Sequence, residues 1–173
     1  MRARARGARE AGSNAMTAVL AALALAGCGH RSGRMDANWA GAETGRMSGR
    51  AWAVWCREAR VAVGTGTSGD TGVSLLIHAR DSLAAGRYPI VEPGNARRTA
   101  PGAALGLRLL GRTAVVGYQG RTGMLTLEQA APGRVTGRFE ANAKIASALA
   151  GTVKLTGRFR DVRVTADGAD CPR

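Results

Sequence analysis

The segment from Val135 to Ile145 restricts the fold of this chain more than any other. Val135, Gly137, Phe139, Ala141, Ala143 and Ile145 alternate without a break with Thr136, Arg138, Glu140, Asn142 and Lys144. Successive side chains of a strand point to opposite faces, whereas a helix repeating every 3.6 residues cannot keep the first set on one side. From residue 51 onward the chain runs in short apolar stretches broken by Gly, Asp, Asn and Pro: 51–56, 60–64, 72–79, 87–92, 104–110, 113–119, 123–129, 134–145, 152–159 and 161–165. Many short strands separated by turn residues predict an all-β fold, an antiparallel β-sandwich or small barrel of about seven to ten strands. Helix competes only at 143–149 and, for one turn, at 81–85.

Gly occurs 25 times, and Trp, Tyr and Phe number only three, two and two, so the core must be built mainly from Val, Leu, Ile and Ala. Hydrophobic residues at 45% still exclude wholesale disorder, collagen and a polytopic membrane protein. The pentapeptide Val135-Thr-Gly-Arg-Phe139 returns as Leu155-Thr-Gly-Arg-Phe159. Two copies suggest adjacent strands, since a solenoid needs at least three units. Matching the apolar faces places Phe139 opposite Phe159 and Glu140 opposite Arg158 in a hairpin. The apolar parity then shifts from odd positions to Val162 and Val164, so a bulge is expected at Arg160-Asp161.

Residues 1–16 carry four Arg and one Glu, and the apolar run from Thr17 to Leu25 is signal-peptide sized and too short to span a bilayer. It ends in Leu25-Ala26-Gly27-Cys28, which resembles the lipobox of bacterial lipoproteins. That resemblance implies diacylglycerol on the Cys28 sulfur, cleavage ahead of it, acyl chains such as palmitate and anchoring in the bacterial cell envelope. Gly29, standing where an Asp would retain the protein elsewhere, resembles outer-membrane lipoproteins facing the periplasm if the cell is Gram-negative. The expected organisation is a signal peptide over 1–27, lipidated Cys28 with a flexible tether over 28–50, and one β-rich domain over 51–173. Trp39 is the one large aromatic of that tether, free to dock on the domain or at the membrane interface. With Cys28 taken up by lipid, two thiols remain in an oxidising compartment, and Cys56 and Cys171 are expected to pair as a staple.

The formal charge is +13, of which residues 1–27 account for three, leaving +10. Only Lys144 and Lys154 are lysines and the basic residues form no block, as expected from a solvated surface with an Arg-rich composition. Arg138, Lys144, Lys154, Arg158 and Arg160 nevertheless share one strand face and form the candidate contact for phosphate-bearing envelope material such as anionic lipid or lipopolysaccharide. The same face suits an ordinary wet surface. Phe139 and Phe159 point away from it, so no aromatic platform for nucleic acid is expected.

Motifs that would carry catalysis fail on context. Gly64-Thr-Gly66-Thr-Ser-Gly69 matches a dinucleotide fingerprint, but the residues after it read as strand and not as the helix that would meet a pyrophosphate, leaving a Gly-rich loop between strands. Asp70-Thr71-Gly72 has no second copy, and aspartic proteases need two carboxylates. A catalytic histidine could only be His78, since His30 lies in the tether, and two histidines cannot make a His-rich metal site. Ser68, Ser74 and Ser82 lack a nucleophile elbow. Asp81, Glu92, Glu128, Glu140, Asp161, Asp167 and Asp170 show no paired pattern.

The run of features from Leu83-Ala-Ala-Gly-Arg-Tyr88-Pro-Ile90 through Gly123-Met-Leu-Thr-Leu127 to the two Thr-Gly-Arg-Phe units resembles small β-sandwich lipoproteins of unknown function. It transfers no activity and no site residue. The expectation is a non-enzymatic binding or assembly module of the envelope, without cofactor, with the membrane and an envelope protein, anionic lipid or polysaccharide as partners. The alternative is an envelope hydrolase, or a hydrolase inhibitor, acting on cell-wall or lipid material. Mass spectrometry of protein extracted from membranes is expected to give residues 28–173 plus acyl chains, heavier by two hydrogens after reduction.

Overall fold

Alternation in the sequence becomes a strand with one dry face and one wet face. In β8 (Arg134–Ile145) Val135, Gly137, Phe139, Ala141, Ala143 and Ile145 are buried, and Arg138, Glu140, Asn142 and Lys144 are exposed. The computed structural model describes residues 33–110, 114–131, 133–146, 151–166 and 171. The signal segment, Cys28, His30, Asp167 and Asp170 lie outside the described residues, as does most of the helix expected at 143–149, whose start belongs to β8.

The other strands are β1 (Gly33–Gly41), β2 (Gly45–Cys56), β3 (Val61–Ser68), β4 (Thr71–His78), β5 (Gly86–Val91), β6 (Gly102–Leu110), β7 (Val115–Ala131) and β9 (Thr152–Ala166). They form a closed barrel in the order β1-β2-β3-β4-β6-β5-β7-β8-β9, and β9 pairs with β1 to complete it. Neighbours are antiparallel except at the β5–β6 and β2–β9 contacts. Closure leaves no edge to template aggregation, and of the two expected architectures the barrel is the one formed. The single helical turn among the described residues, α1 (Pro93–Ala96), follows β5, and the expected turn at 81–85 is irregular chain clasped by the Tyr88 hydroxyl, which donates to the Ala84 carbonyl at 2.7 Å.

Residues 33–50 correct the expected tether. They form β1 and the first half of β2, and β1 is the strand that closes the barrel. Met35, Ala37 and Trp39 point into the core while Arg34, Asp36 and Asn38 point out, so Trp39 is an interior residue with 7% exposure. Gly33 also faces inward, directly beneath Val162.

The expected hairpin register is also corrected. β8 and β9 do pair, but Phe139 faces Gly157 and Phe159 faces Gly137, a slip of two residues that sets Glu140 opposite Thr156 and Arg138 opposite Arg158. Two phenyl rings side by side would overfill the barrel, whereas each ring lies in the space left by a glycine. A Cβ on Gly157 would come within 2.8 Å of Phe139 Cε1, and one on Gly137 within 2.7 Å of Phe159 Cζ. The bulge falls where expected: the register shifts between Val135, opposite Val162, and Gly137, opposite Phe159, the Thr136 Oγ1 accepts the Asp161 N–H at 3.2 Å, and Asp161 has φ of 54°. A second bulge, between Gly120 and Thr122, joins two expected strands into the long β7. The Gly64–Gly69 stretch is mostly strand, with Gly69 (φ 56°) supplying the left-handed residue of a two-residue turn.

The barrel interior holds one continuous core containing Leu75, Ile90, Leu105, Leu107, Leu125, Leu127 and Leu155. A smaller apolar cluster lies outside the wall, where Val54, Cys56 and Val61 are covered by Cys171. Cys56 and Cys171 form a disulfide across a sequence separation of 115, as expected, and it seals the only outward face of β2 and β3 that is buried among the described residues. Replacing Gly157 or Gly137 with Val is expected to lower stability by about 1–3 kcal/mol each through overpacking, read from denaturant midpoints.

Candidate functional site

Side chains fill the barrel around the void described among its interior residues. The void bordered by Met35, Ala51, Leu75, Phe159 and Val162 is about 20 Å³, enough for one water at most, and its lining is apolar. The larger concavities among the described residues lie on the outer surface.

On that surface one carboxylate organises several cations. Asp36 points out from β1 and accepts hydrogen bonds from the Ser48 hydroxyl of β2, from Arg34 Nε at 3.3 Å and from Arg158 Nε of β9 at 3.4 Å. Arg160 Nη2 stands 3.8 Å away, and Ser48 in turn accepts from Arg34 at 2.6 Å. Strand pairing builds the cluster, because Ser48 and Arg158 flank Asp36 on the two neighbouring strands. The Ser48 hydrogen bond, followed in weight by an opposing cost of partial burial and then by Arg34, holds the Asp36 carboxyl below its ordinary value of 3.8. One carboxylate cannot neutralise three guanidiniums, so the cluster keeps unspent N–H donors and positive charge.

The structure brings the five residues of the expected basic stripe to one outer surface of β8 and β9, all exposed. It does not leave them all unpaired. Arg138 meets Glu128 at 3.2 Å and Lys154 meets Glu140 at 2.7 Å, while Lys144 sits at the far end with no acidic partner among the described residues. The charge concentrates instead toward Arg158 and Arg160, where Arg34 joins from β1. A shallow groove of about 550 Å³ crosses this surface between Asp36, Asn38, Thr126, Arg138 and Arg158.

Antiparallel pairing gathers the start of β1, the β2–β3 turn, the chain after β4, the β7–β8 turn and the end of β9 at one end of the barrel. Arg34, Arg57, Arg60, Arg80, Arg134, Arg160 and Arg163 lie there, against Asp36, Glu58, Asp81 and Asp161. Arg134 pairs with Asp161 at 2.6 Å, whereas the Arg60–Asp81 pair is long, at 3.9 Å. This basic end is also where the chain enters β1 from the direction of Cys28.

His78 ends β4 beside a surface pocket of about 640 Å³ shared with Glu58, Arg60, Asp81 and Arg97. Burial, then the charge of Arg97, holds its pKa below the ordinary 6.5, so the imidazole is neutral at neutral pH. Among the described residues no hydrogen bond joins it to a serine or a carboxylate. Ser68 ends β3, Ser74 points out from β4, and Ser82 lies in the exposed loop after it. Glu92 is spent on Arg121, and Asp70 is exposed in the β3–β4 turn. Among the described residues no three His, Cys, Asp or Glu side chains group as metal ligands.

The chain matches no family model, no curated protein and no solved structure. The Asp36 cluster escapes a reading of sequence alone because its members run from Arg34 to Arg160, 126 positions apart; the local signal is the alternation Arg34, Asp36, Asn38. A carboxyl whose folded pKa is depressed contributes stability above its unfolded pKa that is lost as pH falls through the folded one. Asp36 is thus expected to titrate below 3.8 by NMR, Ser48→Ala to move it upward, and the stability gap between wild type and Asp36→Asn to close as pH falls below that range.

Proposed function

We propose that this protein is a lipid-anchored, non-enzymatic module of the bacterial cell envelope that uses its arginine-rich barrel end and the adjoining face of β1, β8 and β9 to hold phosphate-bearing lipid headgroups. The supporting observation is the coincidence of the Asp36 cluster with the end of the barrel at which the chain enters β1, five positions after Cys28 in sequence. Only four residues separate Cys28 from Gly33, so a lipidated Cys28 keeps that end within roughly 18 Å of the bilayer. Such a leash is far shorter than a 22-residue tether, and it sets Arg34 and Arg160 against the anionic surface before any other partner.

The guanidinium fork suits this contact. Its planar donors match phosphate oxygens bidentately, and Asp36 with Ser48 holds the Arg34 and Arg158 forks by their Nε and Nη groups, reducing the ordering cost of binding. A second acyl-independent attachment would also add to the affinity of the lipid anchor.

The unacylated Cys28→Ser protein isolates the headgroup contact from the anchor. It is expected to co-sediment with vesicles containing anionic phospholipid, to be released as salt rises, and to lose about fivefold in affinity for each of Arg34→Gln and Arg160→Gln, since a cation near such a surface contributes about 1 kcal/mol. Equal binding to zwitterionic vesicles, or unchanged binding by both variants, would overturn the reading.

A further inference from the structure

The wall formed by β2, β3, β4, β6 and β7 carries a groove built by register alone. Pairing across β2, β3, β4, β6 and β7 lines up Trp52, Thr65, Ser74, Gly106 and Gln119 on the outer face, and beside that row Thr67, Gly72, Arg108 and Gly117. These residues line a groove of about 610 Å³. Four interstrand steps give it a length of roughly 19 Å. The three large apolar side chains that the described residues leave exposed are Trp52, Leu110 and Val115. Trp52 and Val115 line this groove, and Leu110 is the strand partner of Val115.

The floor is shallow because its residues are small, and the barrel does not require that smallness throughout. A Cβ on Gly66, inside the wall, would come within 2.6 Å of Met35 Sδ. On Gly117 the nearest atom would be 3.9 Å away, and on Gly72 3.8 Å, which are ordinary contacts. A strand glycine weakens its strand, and bulges, tight bends and places where a ligand or another backbone comes close are where it is found; the open space above Gly72 and Gly117 leaves room for a ligand.

We infer that this groove binds a carboxylated glycan. An exposed indole offers an apolar surface to the C–H face of a sugar ring, and Thr65, Thr67, Ser74 and Gln119 supply the donors and acceptors that sugar hydroxyls need. Arg108 is the only charged side chain among the lining residues and has no acidic partner among those described. Lys144, opposite Gln119, adds a second cation at the groove's end. Arg108 and Lys144 stand on β6 and β8 with β7 between them, and two separated cations suit carboxylates carried one per sugar ring better than the charge of about −2 that a phosphomonoester concentrates at one point.

Calorimetry of the full-length chain with tetragalacturonate, and with maltotetraose as the neutral counterpart, tests this. Saturable binding of the acidic tetrasaccharide is expected, weakened about tenfold or more by Trp52→Ala, by Arg108→Met and by Gly117→Val. Valine suits a strand, so Gly117→Val should keep the denaturation midpoint while filling the floor. Arg34→Gln and Arg160→Gln, which test the headgroup reading, should leave glycan binding unchanged. The inference is overturned if tetragalacturonate does not bind, if maltotetraose binds equally well, if the three groove variants bind as wild type does, or if only the Arg34 and Arg160 variants lose binding.

Discussion

The barrel rests on large side chains seated against glycines. Inside it Met35 lies on Gly66, Trp39 on Gly45, Phe139 on Gly157 and Phe159 on Gly137, and any Cβ at those glycines would collide with its partner. With so few aromatic residues, this is how a narrow closed sheet fills its lumen: each ring spans the interior toward a neighbouring wall with nothing standing in its way. The same pairs set register. A slip of one residue would turn every ring outward, and the slip of two that places Phe139 beside Phe159 would crowd one layer and empty the next.

The lumen is filled with side chains, and the outer wall is divided by chemistry. One sector, formed by Val54, Val61, Val63 and Leu76, is apolar and is sealed by Cys171 through its disulfide to Cys56. A bond closing a loop of that length contributes on the order of 4–5 kcal/mol in the chain-entropy account, and here it also keeps water from a patch that closure of the barrel left exposed. The sector beside it is small and polar around Trp52. The sector of β1, β8 and β9 is charged, with Asp36 at its centre.

That division gives the arginine excess a location. Exposed pairs such as Arg138–Glu128 and Lys154–Glu140 contribute little to stability. The Asp36 cluster differs in being shared: a hydroxyl and three guanidiniums converge on one carboxylate, which gathers their donors at one place on the surface. Its closeness to the entry of β1 ties this electrostatics to the proposed anchor, because the shorter the leash from Cys28, the higher the effective concentration of headgroups at Arg34 and Arg160.

Strand character was legible wherever polarity contrast was strong. Val135 to Ile145 announces itself, the parity change at Arg160-Asp161 announces its bulge, and Cys56 and Cys171 form the bond expected of them. The alternation of Gly33, Met35, Ala37 and Trp39 with Arg34, Asp36 and Asn38 has the same period but a weaker signal, since glycine and alanine look alike inside a barrel and in a linker. Period and composition therefore determined that this chain forms strands, and which face of the best of them is dry. Only the closed barrel decided which strands are neighbours, that β1 completes the ring, and that Ser48, Arg34, Arg158 and Arg160 meet at Asp36 while Trp52 and Arg108 share a groove. Those contacts join residues far apart in the chain, and they depend on how glycines and rings interlock across the lumen, a volume constraint that no local pattern of polarity encodes.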